Sequence, residues 1–201
     1  MILSRTEAAI SIVPQPPPPG LYITLGPQNL IGWALDMISR TLADPSRIVW
    51  VDAANAFNAY IVSIAARSAL KDPTQVLRSY HVARPFTAYQ LEAMVSEKLL
   101  PVARRINALV SVVADPLRLF ADAEGRDTQI RQCYTRFIFG LRAAASERAV
   151  LVLSTADQSR YIKPLLASAT RLTQLSFVDH RPLLEEIHGA DIANHDPVHP
   201  L

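Results

Sequence analysis

Apolar residues fall into two alternating patterns along this chain. Short, nearly continuous apolar runs bounded by glycine, proline or charged residues predict β-strands at 21–25, 47–52, 77–82, 108–115, 149–154 and 169–177. Between them, apolar residues spaced three or four apart predict helices at 30–42, 56–70, 88 to about 105, and 127–146. Thr87 with Gln90 three residues later resembles a capping box, and Pro101 is expected to kink or end its helix.

This alternation predicts an α/β fold with a mainly parallel twisted sheet and helices on both faces. The run 108–115 is apolar on both of its faces, as expected of a strand buried in a parallel sheet. Ligands of such folds bind at the carboxyl ends of the strands. The residues that follow each strand, at 26–33, 52–55, 115 and 154–158, are therefore the first candidates for a site.

We expect one core domain, at 21–178. The segment 1–20 ends in four consecutive prolines, Pro16 to Pro19, which favour a stiff extended lead-in to the first strand. An alternative is that these prolines bind an aromatic groove of another protein. Apolar periodicity weakens from Val178 onward, so 179–201 is predicted to be an extension, loose at its end.

Composition and net charge exclude several classes of protein. Half of the 201 residues are apolar, which excludes wholesale disorder, and the formal charge of +2 excludes a strongly basic nucleic-acid binder. The single cysteine, Cys133, excludes an internal disulfide framework and is expected to be a packed thiol. We predict no transmembrane helix and no signal peptide, and a cytoplasmic location, or a nuclear one in a eukaryote.

A metal site is not expected. His195 and His199 flank Asp196 at a spacing that could bind zinc on a helix, but Pro197 and Pro200 would break that helix.

Several fragments, in order, resemble the RecA/RadA-type recombinase family between about 21 and 177. They are 26–33 at the phosphate loop, 49–57 at the second strand and its turn, 83–91 after the third strand, 109–120 at the Mg²⁺-aspartate strand, 130–142 at the long helix, and 150–155 with 169–172 at the last strands. The resemblance implies a RecA-like P-loop NTPase core.

The resemblance also implies that the phosphate loop is degenerate. Its segment reads Gly26, Pro27, Gln28, Asn29, Leu30, Ile31, Gly32, Trp33. A phosphate loop ends in glycine, lysine and a hydroxyl residue, which bind the phosphates and Mg²⁺. Counting from Gly26, Gly32 takes the lysine position; with a one-residue insertion Trp33 takes it, so the cation is absent in either alignment. Trp33 would either block the phosphates or pack under the sheet.

Two further positions bear on catalysis. Ala54 stands where the family has its water-activating glutamate, so no general base is expected. Asp115 matches the Mg²⁺ aspartate, or is a strand-end residue that accepts hydrogen bonds from nearby backbone N–H groups. Arg84 could act as a finger on a neighbour's nucleotide, or be a surface arginine paired with a carboxylate.

The family's two DNA-binding loops correspond to 121–127 and to a shortened 157–164. Candidate nucleic-acid contacts in and beside them are Arg126, Arg131, Arg160, Tyr161 and Lys163. Tyr161 could stack on a base while the cations meet phosphates. The alternative is that these segments are ordinary solvated turns.

The sequence thus predicts a non-catalytic RecA-like accessory protein in DNA recombination or repair. It would have no catalytic residues, no cofactor, no metal and no small-molecule substrate. Its expected partner is another RecA-fold subunit, itself or a recombinase, with weak single-stranded DNA binding as a further expectation. The alternatives are a RecA-fold scaffold without a DNA role, as in tRNA-modification complexes, and a divergent enzyme that uses the old pocket for another ligand.

Overall fold

The structure is a computed structural model of the chain, and it describes residues 18–42, 46–123, 127–155, 161–179 and 181–187. Its strands are β1 (Gly20–Gly26), β2 (Ile48–Asp52), β3 (Tyr80–Ala83), β4 (Val110–Ala114), β5 (Ala149–Thr155), β6 (Arg171–Val178) and β7 (Arg181–Ile187). Its helices are α1 (Leu30–Thr41), α2 (Ala59–Ser68), α3 (Pro73–Arg78), α4 (Ala88–Ala93), α5 (Leu100–Arg105), α6 (Pro116–Ala121), α7 (Asp127–Ala145) and α8 (Ile162–Leu166), and a π-helical segment, Met94–Leu99, joins α4 to α5.

The strands form one sheet in the order β3-β2-β4-β5-β1-β6-β7. Every neighbouring pair is parallel except β6 and β7, which are antiparallel. The expected α/β fold with a mainly parallel sheet is therefore confirmed.

Helices cover both faces of the sheet, as expected. Side chains of α1, α2 and α3 pack on one face, in a cluster that includes Leu151 and Leu153 of β5. Side chains of α4 to α8 pack on the other face, against Val150 and Val152 of the same strand. Alternate residues of one strand thus enter opposite cores, which explains why its sequence is apolar without interruption.

Two predicted strands differ from the structure. The run 77–82 is helical through Arg78, because Pro73 stands at the start of α3 and the Asp72 carboxylate accepts a hydrogen bond from Thr74 N at 2.9 Å. The strand β6 is not the last one, since β7 pairs with it. Part of the predicted extension therefore belongs to the sheet, while 188–201 and 1–17 lie outside the described residues.

The helix that contains Pro101 continues past it. Proline removes one backbone donor and its ring crowds the carbonyl four residues before it. The π-helical segment immediately precedes Pro101 and widens the turn there. Thr87 caps α4 as expected, since its hydroxyl accepts from Gln90 N at 3.1 Å.

The π-helical segment packs closely on α7. A Cβ atom added to Gly140 would lie 2.8 Å from Ser96 Cα and 3.0 Å from Ser96 N. The Ser96 hydroxyl also donates to Arg136 O at 3.1 Å. Nearby, the buried Cys133 thiol donates to Ala88 O at 3.5 Å, and burial raises its pKa to about 11. Cys133 is thus a packed thiol, as expected.

We expect Gly140→Ala to lower the free energy of unfolding by about 1–2 kcal/mol, because overpacking against backbone outweighs the better helix propensity of alanine. Gly32→Ala in α1 is the matched control. Its Cβ would meet Ile61 Cδ1 at 3.4 Å, an ordinary contact. It should therefore raise stability by about 0.5–1 kcal/mol. Urea unfolding of both variants measures the difference, and equal effects would contradict the close helix contact.

Candidate functional site at the carboxyl edge of the sheet

Strand register brings the polar strand ends to one edge. Gly26 is level with Thr155, and Asp52 is level with Ala114, the residue before Asp115. This carboxyl edge is where parallel α/β folds place their ligands. The four stretches singled out in the sequence, 26–33, 52–55, 115 and 154–158, all begin at this edge, and 156–158 lie outside the described residues.

Asp115 connects the ends of two neighbouring strands. It is buried, with a left-handed backbone (φ 50°), and its carboxylate accepts from Thr155 N at 3.2 Å and from Thr155 Oγ1 at 2.8 Å. Its own N–H donates to Leu153 O at 2.7 Å. The alternative interpretation of Asp115, a strand-end residue that accepts backbone hydrogen bonds, therefore matches the observed contacts.

Asp52 is fully buried and is held from two sides. Its carboxylate accepts from Ala56 N at 2.9 Å and from Phe57 N at 3.0 Å, which closes the turn after β2. Arg84 Nε donates to the same carboxylate at 3.0 Å, and Arg84 Nη2 donates to Phe57 O at 3.3 Å. Arg84 is thus an arginine paired with a carboxylate. Asp52 is not recognisable as its partner from the sequence, because the two residues are 32 positions apart along the chain.

The turn also explains the position of Ala54. It is partly buried and packs on the apolar cluster beneath α1 and α2. The carboxylate nearest to Ala54 in the sequence is that of Asp52. Its oxygens already accept hydrogen bonds from Ala56 N, Phe57 N and Arg84 Nε.

The connection between β1 and α1 is short. Only Pro27, Gln28 and Asn29 separate the strand from the helix, and Pro27 has no N–H to donate. Leu30 N donates to Pro27 O at 2.9 Å, which closes the turn. A phosphate cradle needs several free N–H groups and a cation beside them.

The first turn of α1 places residues 30–33, the second half of the phosphate-loop segment, against the core. Leu30 and Ile31 are buried, Gly32 faces α2, and Trp33 is partly buried against the same apolar cluster. A Cβ on Gly26 would lie 3.2 Å from Leu175 Cβ, a tight contact with the neighbouring strand β6. Packing thus gives a reason for Gly26 but not for Gly32, and Trp33 packs on the face covered by α1.

The structure describes three of the five DNA candidates, Arg131, Tyr161 and Lys163. Arg126 and Arg160 lie outside the described residues. Arg131 forms an ion pair with Asp127 at 2.8 Å, and Lys163 is exposed on α8.

Tyr161 is only 4% exposed. Its ring packs at 4.7 Å from Tyr134 and 5.8 Å from Phe120, centroid to centroid, and its carbonyl accepts from the Tyr134 hydroxyl. This burial argues against the expectation that Tyr161 stacks on a base, because its ring packs in the core and is hardly exposed to solvent.

Exposed apolar residues precede and follow Arg84 in the sequence, and Tyr60 lies three residues after Phe57, whose carbonyl Arg84 contacts. Phe86 and Tyr60 are 72% and 70% exposed, Tyr89 is 47% exposed, and Val82 of β3 is 40% exposed. We call these four residues with Arg84 the aromatic surface. Periodicity could not reveal it, because aromatic residues in a helix or strand are ordinarily interpreted as core.

The described part of the chain lacks both a metal-binding cluster and a membrane-spanning helix. It contains no group of three or more His, Cys, Asp or Glu residues that could hold a metal ion. His195 and His199 are outside it. Within the same residues, no helix is both long and apolar enough to cross a bilayer.

The sequence matches no protein-family model, and no curated protein matches it significantly. The resemblance to RecA/RadA-type recombinases therefore rests on the residues and spacings given above.

We expect Tyr161→Ala to lower the free energy of unfolding by about 3–5 kcal/mol, because it removes a buried aromatic ring. Lys163→Ala, on the exposed face of α8, should change it by less than about 0.5 kcal/mol. Urea unfolding gives both values. If Tyr161→Ala instead left stability unchanged and abolished single-stranded DNA retention in low-salt filter binding, the ring would be a stacking residue after all.

Proposed function

We propose that this chain is a non-catalytic RecA-like accessory protein that acts in DNA recombination or repair by binding a partner protein. The observation that carries the contact role is the aromatic surface. Exposed clusters of apolar residues on otherwise ordinary surfaces mark interaction sites. Aromatic residues and arginine are the types enriched at the centres of interfaces.

The aromatic surface is built to bind with little loss of entropy. Aromatic rings have only two side-chain torsions to fix on binding. Arg84 is already held by Asp52 and by the Phe57 carbonyl, so it is preorganised in the unbound protein. The neighbouring strand β3 is at the margin of the sheet and presents a free edge among the described residues. The proposed partner is another RecA-fold subunit, either a second copy or a recombinase.

The carboxyl edge supports the non-catalytic part of the proposal. The segment 26–33 contains no lysine or arginine, and the connection between β1 and α1 is three residues long. Asp52 and Asp115 each accept hydrogen bonds from protein donors. On this basis the segment is a degenerate phosphate loop, and Asp115 is the remnant of a Mg²⁺ site that now connects β4 to β5.

A scaffold role without DNA is the second candidate, and one observation favours it. Of the DNA candidates that the structure describes, Tyr161 is buried and Arg131 is paired with Asp127. Lys163 alone adds little affinity for a polyanion.

Magnesium ATP should leave the melting temperature of the chain unchanged in differential scanning fluorimetry. A ligand that binds the native state at about 100 times its dissociation constant would add about 2.7 kcal/mol of stability. The melting temperature of Gly32→Ala should likewise not change with nucleotide, whatever its value without nucleotide. A melting temperature that rises with nucleotide in wild type, and less in Gly32→Ala, would contradict the lost site.

The double substitution Tyr60→Ser with Phe86→Ser should abolish capture of a RecA-fold partner by the tagged full-length chain in its native cells. The variant loses two of the three rings of the aromatic surface, and both are more than two-thirds exposed. Leu70→Ser is the matched control, since Leu70 is 97% exposed at the other end of α2. Mass spectrometry of the captured proteins gives the result. A partner that is retained by the double variant, or one without a RecA fold, would refute the proposal.

A further inference from the structure

The outward face of α7 exposes one aromatic side chain between two arginines. Phe139 is 65% exposed, and Arg136 and Arg142 are exposed on either side of it. We call these three residues the α7 face. We propose that the α7 face binds an acidic amphipathic helix of a partner protein. This surface shares no residue with the aromatic surface, and the proposal does not depend on the recombination role.

Phe139 belongs to the solvent side of α7 and has not been pushed out of the core by its neighbours. The opposite side of α7 is already filled by buried residues, among them Tyr134, Phe137 and Leu141. The close contact between Gly140 and Ser96 fixes the helix beside the π-helical segment. Phe139 is therefore held toward solvent by a rigid helix.

Helix geometry places the two arginines on opposite flanks of the ring. Residues three apart differ by about 60° around the axis and about 4.5 Å along it. Arg136 and Arg142 are therefore about 120° apart around the helix, with Phe139 midway between them. Thr135 and Ala143, one turn away from Phe139 on each side, are small and exposed. A partner backbone can approach the helix there.

The charge of this surface calls for acidic groups on the partner. Between Asp127 and Ala145 the helix carries three arginines and one carboxylate. That carboxylate, Asp127, is paired with Arg131. Among the described residues, Arg136 and Arg142 take part in no ion pair. Glu92 of α4 and Arg136 both act electrostatically on Cys133, so this carboxylate offsets one of the two arginines at most and an excess of positive charge remains.

This arrangement favours an acidic helix over a nucleic acid. Affinity for a nucleic acid depends on the number of phosphates that are neutralised, and the two unpaired arginines would neutralise only about two. A partner helix can offer an apolar strip to Phe139 and a carboxylate on each side of it. Bidentate pairs between guanidinium and carboxylate groups fit that geometry. Helix-on-helix packing also uses the small residues around the ring.

Photo-crosslinking in native cells tests the proposal on the full-length chain. Phe139 is replaced by p-benzoylphenylalanine, which keeps an aromatic ring at this position, and crosslinked peptides are identified by mass spectrometry. We expect a protein segment with an apolar strip flanked by Asp or Glu at helical spacing. Adding Arg136→Glu and Arg142→Glu should reduce the yield by at least about tenfold, the factor for 1.4 kcal/mol in binding.

Two controls make the result specific. Arg67→Glu reverses an exposed arginine on α2, on the other face of the sheet, and should leave the crosslinks unchanged. The same probe at Thr74, exposed in α3, should not crosslink the acidic segment. Thermal unfolding must show that the charge-reversed variant is as stable as wild type. Crosslinks to nucleic acid, to a neutral or basic segment, or none above the Thr74 control would each overturn the proposal.

Discussion

Burial of the central strands on both faces is the constraint on which this structure depends. Every residue of β2 and β4 is buried, and helices cover both sides of the sheet. Each Val, Leu or Ile removed from water contributes about 1.5–3 kcal/mol, so these strands tolerate few polar groups in their interior. The hydroxyls of Thr24 and Thr173 are among the few, and they bond to each other at 2.9 Å. Ser111 of β4 is another, whereas the carboxylates Asp52 and Asp115 are displaced to strand ends.

That displacement explains the chemistry of the carboxyl edge. Asp52 and Asp115 both stand at strand ends where little water reaches them, and a buried carboxylate is costly without partners. The chain supplies those partners locally, from Ala56 N and Phe57 N for Asp52 and from Thr155 for Asp115. The edge that would bind a ligand in a related fold is therefore used here to connect strands and turns.

The two surfaces proposed for partner binding lie on elements that buried groups hold in place. Arg84 is positioned by Asp52, so the aromatic surface depends on the same buried carboxylate that closes the turn after β2. Phe139 is held outward because Gly140 and Cys133 hold α7 against the neighbouring helix. In both surfaces an exposed ring and an arginine are supported by buried groups beneath them.

The sequence by itself determined the layered α/β architecture, most element positions, the cap at Thr87 and the packed state of Cys133. These follow from apolar spacing and local hydrogen bonding, which need no distant partner. Only the tertiary structure decided the pairing of Arg84 with Asp52, the burial of Tyr161, the addition of β7 to the sheet and the exposure of Phe139. Each of these depends on which elements become neighbours. An aromatic residue in an amphipathic pattern has the same local signature whether its ring enters the core or stands in solvent.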